Sequence, residues 1–300
     1  MKNPIFTGSG VAIVTPMHTD GSVNFESFGK IIDYQIEGGT DAIIACGTTG
    51  EAATLSEKEH CAVLEFVSRK VDGRVPVIAG AGSNDTATAI SISKAAKNYG
   101  ADAILSVTPY YNKTSQTGLI RHFTTIADAV DLPMILYNVP SRTGCNIKPE
   151  TYAELCKHEN IVATKEANGD ISSVSKTRSL CGDNLVIYSG NDDQTVPFMS
   201  LGALGVISVF ANLCPREMYD ICQLCLDNNF QEAAKRNFYY IELMDMMFSD
   251  VNPIPVKTAM NLMGFDCGEC RLPLVPMSYH GYHDLKDCMA KYELIGKIKD

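Results

Sequence analysis

Eight short apolar runs, rich in β-branched residues, recur along the chain at 10–15, 41–46, 75–79, 103–107, 133–137, 161–165, 185–189 and 206–209. Between them lie stretches with helical spacing, such as Phe25, Phe28, Ile32 and Ile36 on one face. Ser56-Glu57-Lys58-Glu59 has the form of a capping box, and Gly38-Gly39, Gly73 and Gly100 stand where helices end in a left-handed residue. Strict alternation of strand and helix predicts a parallel sheet. Eight such units predict closure into an α/β (β/α)8 TIM barrel. An open doubly wound sheet would need a phosphate-binding glycine loop after its first strand, and Val14-Thr15-Pro16-Met17 is not one.

The rhythm changes after about residue 226. Phe230, Ala234, Phe238, Ile241, Met244 and Phe248 recur at steps of three and four, which predicts one long amphipathic helix. Asn252-Pro253-Ile254-Pro255 breaks it, and two more helical stretches follow. The expected organisation is a catalytic barrel at 1–226 and a C-terminal helical extension at 227–300, without a flexible linker.

A net charge of -10 with no basic block argues against nucleic acid or an anionic membrane as partner. No run approaches the ~20 apolar residues of a membrane span, and no export signal opens the chain. The 11 cysteines are odd in number and scattered, as expected of reduced thiols in a cytoplasmic protein. The pairs Cys222/Cys225 and Cys267/Cys270 have zinc-like spacing. They read as packed thiols, as does Cys46, and His280 and His283 read as surface histidines. No metal is expected.

In a closed α/β barrel the chemistry sits where the strands end. Lys165 closes the sixth run, and an amine held in a partly desolvated pocket is a usable nucleophile. The other strand ends supply partners. Gly47-Thr48-Thr49-Gly50-Glu51 is a tight loop whose hydroxyls and N–H groups suit a carboxylate. Thr108-Pro109-Tyr110-Tyr111-Asn112 brings two phenols, and Tyr137 ends the fifth strand, one unit from Lys165. Arg142, in a proline-shaped loop, offers a planar fork for a second carboxylate, and Gly190 lets a ligand approach the backbone.

The segments GTTGEAATL, TPYYNK, LYNVPSRTG, KEA, SGND, NPIPVK and RLPLVPM, in this order and spacing from about Phe6 to Met277, resemble those of a known family. It is the pyruvate-dependent class I aldolase family, which holds the dihydrodipicolinate synthases and the N-acetylneuraminate lyases. The resemblance implies that Lys165 forms a Schiff base with pyruvate and Tyr137 shuttles protons. Thr48 would link Tyr137 to Tyr111, the latter reaching in from a neighbouring subunit of a homotetramer built as a dimer of dimers. Thr49 would bind the pyruvate carboxylate, with the backbone of Gly190 and Ile207 completing the pocket, and Arg142 would hold the carboxylate of L-aspartate-4-semialdehyde. The implied reaction condenses these two substrates at the start of diaminopimelate and lysine biosynthesis. No cofactor is implied, because the covalent imine on Lys165 is the electron sink.

Arg142 sets the chain apart from the sialic acid lyases, which usually lack an arginine in that loop. Two rival readings are another pyruvate aldolase of the lyase type and a catalytically silent, metabolite-sensing barrel. Asn84, His60 and Tyr110 match the family's allosteric lysine site. Ala52, Glu57 and Thr88 replace the serine, histidine and glutamate of its lysine-inhibited members, which implies weak or absent feedback.

Overall fold

In a computed structural model that describes residues 2–298, eight parallel strands close into a barrel in sequence order. They are β1 Gly8–Ala12, β2 Ala42–Ala45, β3 Val77–Gly80, β4 Ala103–Val107, β5 Met134–Asn138, β6 Ile161–Glu166, β7 Val186–Ser189 and β8 Gly205–Ser208. Each of the eight expected strands is there. The largest displacement is β1, which begins two residues before the apolar run. Gly8 and Ser9 pair with Gly205 and Val206 of β8, a seam of small residues that hydrophobic patterning passes over. At the other end, the Val14 N–H leaves the ladder for Asn212 Oδ1 at 3.1 Å.

Two apolar layers hold the barrel. The outer one, between sheet and helices, contains Phe28, Leu64, Phe123 and Met218. The inner one fills the barrel with Phe6, Ile44, Ile135, Tyr188 and Ile207. Each such large side chain contributes about 1.5–3 kcal/mol on burial. Phe6 and Tyr188 stack with centroids 4.3 Å apart, and the Tyr188 hydroxyl donates to the Phe6 carbonyl at 2.7 Å. The barrel interior is therefore packed, not open.

The capping box expected at Ser56 is present: Ser56 Oγ accepts from the Glu59 N–H, and Glu59 Oε2 accepts from the Ser56 N–H at 2.9 Å. The glycines at 39, 73 and 100 have positive φ, whereas Gly38 is right-handed.

After the eighth barrel helix, Pro215–Leu226, come three helices, Phe230–Met246, Ile254–Met263 and Tyr279–Lys291. The apolar stripe expected on the first of them is corrected. Met244 of that stripe is buried and Phe230 and Ala234 pack against the core, but Phe238 and Phe248 are exposed, and Ala233, Asn237 and Leu243 are buried instead. The buried face is turned by about one residue, so Asn237 reaches the Asp193 carbonyl.

Candidate active site

Tyr137, Lys165 and Tyr188 are register partners on β5, β6 and β7, so their side chains share one face of the sheet. That face is the interior, because Tyr137 and Tyr188 belong to the inner layer. Lys165 is 5% exposed, and its Nζ lies 4.5 Å from the centroid of the Tyr137 ring. The amine thus packs on the phenol face, and among the described residues no carboxylate forms an ion pair with it. Lys165, Tyr137, Thr49, Arg142 and Gly190 line one cavity of about 350 Å³, large enough for two small substrates. At Gly190 a Cβ would lie 2.7 Å from Ala167 Cβ and 3.2 Å from Lys165 Cε, so only glycine leaves room beside the amine.

Thr49 and Arg142 are tied to a residue that the sequence reading used only as a helix breaker. Asn252 Nδ2 donates to Thr49 Oγ1 at 3.0 Å, and Arg142 Nη2 donates to the Asn252 carbonyl at 3.2 Å. Next to Thr49, Glu51 turns back in a left-handed conformation with φ of 56°. Its carboxylate accepts from Lys257 Nζ at 2.8 Å and from the Arg271 N–H at 2.9 Å. Neither Asn252 nor Glu51 stands out in the sequence, because each joins the barrel to the helical extension across 110 to 220 residues. A charge pair with such separation leaves no local pattern.

A second cavity of about 410 Å³ adjoins the first, and Tyr137 and Arg142 border both. Thr48, Ala52, His60, Thr88 and Tyr110 line it, so the structure brings the expected relay threonine and part of the expected effector site into one space. His60 is buried, its Nε2 lies 2.8 Å from the Gly80 carbonyl, and burial pushes its pKa down. Thr88 Oγ1 donates to Asp85 Oδ2 at 2.7 Å. Glu57 stands in an outer groove with Ala52 and Thr88, and Asn84 in a polar groove beside Asn112. Tyr111 is 90% exposed and touches none of this within its own chain. Ile207 lies in the packed interior, and the wall of the first cavity near the end of β8 is Val209.

Behind Lys165 the strand alternation turns Glu166 outward into a buried cluster. Glu166 accepts from Asn138 Nδ2 at 3.0 Å, from the Tyr152 hydroxyl at 2.8 Å and from the Asn168 N–H at 3.0 Å. Burial lifts its pKa to about 7 against those donors, which favour the ionised form. Asp192 is also buried and accepts from the N–H groups of Val209 and Phe210, at 3.1 and 2.9 Å. Burial pushes its carboxyl up, while the nearby Lys165 charge pulls it down. Neither acid is marked by the apolar pattern of the strands, because each carboxylate finds its partners only in the folded chain.

The cysteines of the zinc-like pairs are packing residues. Cys222, Cys225 and Cys267 are buried in the outer layer, and burial lifts the thiols of Cys267 and Cys270 to about 12. Cys46 is likewise buried in that layer.

Comparison with known proteins gives one answer. Residues 5–292 match the model of the "Dihydrodipicolinate synthetase family". The 4-hydroxy-tetrahydrodipicolinate synthase of Thermoanaerobacter sp. (strain X514) is 53% identical over 293 residues, covering 97% of this chain and 98% of the relative. A chloride-inhibited dihydrodipicolinate synthase from Acinetobacter baumannii, solved in complex with pyruvate, is 43% identical. It superposes with a TM-score of 0.95 over 96% of this chain and 99% of its own. A solved structure described as the first monomeric dihydrodipicolinate synthase variant is 41% identical, with a TM-score of 0.94 over 97% of this chain and 98% of its own.

Proposed function

The chain belongs to the dihydrodipicolinate synthetase family, and from that premise we propose how its barrel mouth carries out the family's reaction. The enzyme is a Schiff-base-forming lyase that condenses pyruvate with L-aspartate-4-semialdehyde to 4-hydroxy-tetrahydrodipicolinate, in diaminopimelate and lysine biosynthesis. The observation that carries the assignment of residues is Lys165. It is a buried amine at a barrel strand end, against the Tyr137 ring, in a cavity shared with Thr49 and Arg142.

The Lys165 amine adds to C2 of pyruvate and water leaves, giving an imine. Loss of a C3 proton turns the imine into an enamine, whose C3 attacks the aldehyde carbon while the new alkoxide takes up a proton. The product's own amine then attacks C2, closes the ring and frees Lys165. Tyr137 moves the protons, with Thr48 and Tyr111 as its relay. Thr49 and the backbone at Gly190 hold the pyruvate carboxylate, and Arg142 holds the carboxylate of the aldehyde. The iminium withdraws electrons from C3, so these steps call on no metal or organic cofactor.

Tyr111 reaches such a relay only from another copy of the chain, because it points into solvent from its own. We therefore read the active form as an oligomer in which partners exchange this residue, a homotetramer on the family pattern. Among the described residues, no helix is long and apolar enough to cross a membrane. Eleven free thiols suit a reducing cytoplasm, where we place the enzyme.

Borohydride reduction in the presence of pyruvate, followed by peptide mapping, tests the central assignment. A single reduced adduct on Lys165, absent from K165A, is the expected result. A folded, assembled protein that forms no adduct overturns it.

A further inference from the structure

Asn252 is 5% exposed and lies in the wall of the cavity that holds Lys165. Its side-chain Nδ2 donates to Thr49 Oγ1, while its own carbonyl accepts from Arg142. A hydroxyl carries one proton and two acceptor positions. The amide N–H occupies an acceptor position of Thr49, and among the described residues no protein group accepts the Thr49 proton. That proton is left to be donated into the cavity. A carboxylate can only accept hydrogen bonds, so the direction of this hydroxyl decides whether Thr49 attracts or repels it.

We infer that Asn252 is a positioning residue that fixes the Thr49 hydroxyl as a donor toward the pyruvate carboxylate while its main chain steadies Arg142. The inference rests on the reading of Thr49 as the pyruvate anchor. It assigns the helical extension a part in substrate selection, since Asn252 lies beyond the eight barrel units. It also explains why an amide is wanted there and not an acid of the same shape. A carboxylate at 252 would take the Thr49 proton, turn the oxygen's lone pairs to the cavity and set a negative charge beside two anionic substrates.

This gives an order of effects that simple packing does not. A packing role makes the isosteric N252D milder than N252A. A polarity role makes it worse, and only for pyruvate, because the main-chain contact to Arg142 survives both changes. The test is steady-state kinetics of the full-length N252D, N252A, T49V and N252D/T49V enzymes in a coupled assay, with melting temperatures measured alongside. We expect N252D to raise the KM for pyruvate roughly tenfold or more. N252A raises it by a few-fold, and the KM for the aldehyde changes little in either. Acidifying the assay protonates the introduced carboxyl and narrows the N252D defect, leaving that of N252A unchanged. In the T49V background, N252D adds almost nothing.

A wild-type pyruvate KM in N252D or in N252A overturns the inference, as does an N252D defect that is additive with T49V. If N252D does not fold, N252A and its coupling to T49V decide the question. T49V with an unchanged pyruvate KM brings down the reading of Thr49 itself, which is a separate result.

Discussion

Lys257 Nζ lies 2.8 Å from Glu51 Oε1, and both side chains are 2% exposed. Each member of this buried pair has a further partner: Lys257 also donates to the Glu269 carbonyl, and Glu51 also accepts from the Arg271 N–H. The pair fastens the loop carrying Thr48 and Thr49 to the helix Ile254–Met263 of the extension.

Removing one partner strands the other charge in an apolar site. E51Q and K257M should each lose about 3–5 kcal/mol of stability. For a chain of this size the melting temperature should fall by roughly 10 °C. The double variant E51L/K257M, with both charges gone, should recover most of that loss while its pyruvate KM stays raised. Calorimetry and kinetics on the three proteins check both statements. A K257M protein as stable as wild type would contradict the account.

Glu166 gives the stability a pH dependence of its own. Its folded pKa of about 7 lies above that of an ordinary glutamate, about 4.5, so the folded state binds the proton more tightly. The contribution is full below about 4.5 and is lost as pH rises through about 7, amounting to a few kcal/mol at ~1.4 per unit. Urea titrations across this range should show wild type losing stability as pH rises. E166Q should show a flatter profile, and parallel slopes in the two proteins would remove Glu166 from the account.

Lysine should inhibit weakly. Among the described residues no acidic side chain lines the cavity that holds Ala52, His60, Thr88 and Tyr110, and burial pushes the histidine's pKa down. An ammonium ligand entering it would meet Arg142 and find no counter-charge. Initial rates should stay level into millimolar lysine, and T88E should gain inhibition. Strong inhibition of the wild type at micromolar lysine defeats this expectation.

Tyr111 has a left-handed backbone, φ of 70°, and points to solvent. If a neighbouring copy receives it, Y111F should lower kcat ten- to a hundredfold without unfolding the chain. Dilution to monomers should likewise remove activity while the fold remains. Sedimentation run beside the assay decides the matter, since a fully active monomer cannot depend on a borrowed phenol.

The barrel was legible in the sequence because burial on both faces writes each strand as an apolar run, and the helices between them carry ordinary caps. Lys165, Tyr137, Thr49 and Arg142 were legible because the strand ends mark one mouth. What stayed hidden depends on distant pairing. Asn252 meets Thr49 across 203 residues, and Lys257 meets Glu51 across 206. Small residues in β1 hid the first strand's start, and the stripe beginning at Phe230 misjudged which side of that helix the barrel would cover. Glu166 was hidden in plain view, one residue past the lysine and turned the opposite way.

The stacked rings of Phe6 and Tyr188, with Ile207 beside them, stop the barrel beneath Lys165. Below the amine the cavity has a packed floor, so whatever reacts with Lys165 approaches from the side of the strand ends. Pyruvate reacts first because the aldehyde is attacked only by the enamine that pyruvate forms on Lys165. Kinetics should therefore be sequence-bound in time, with crowding by the second substrate slowing the first.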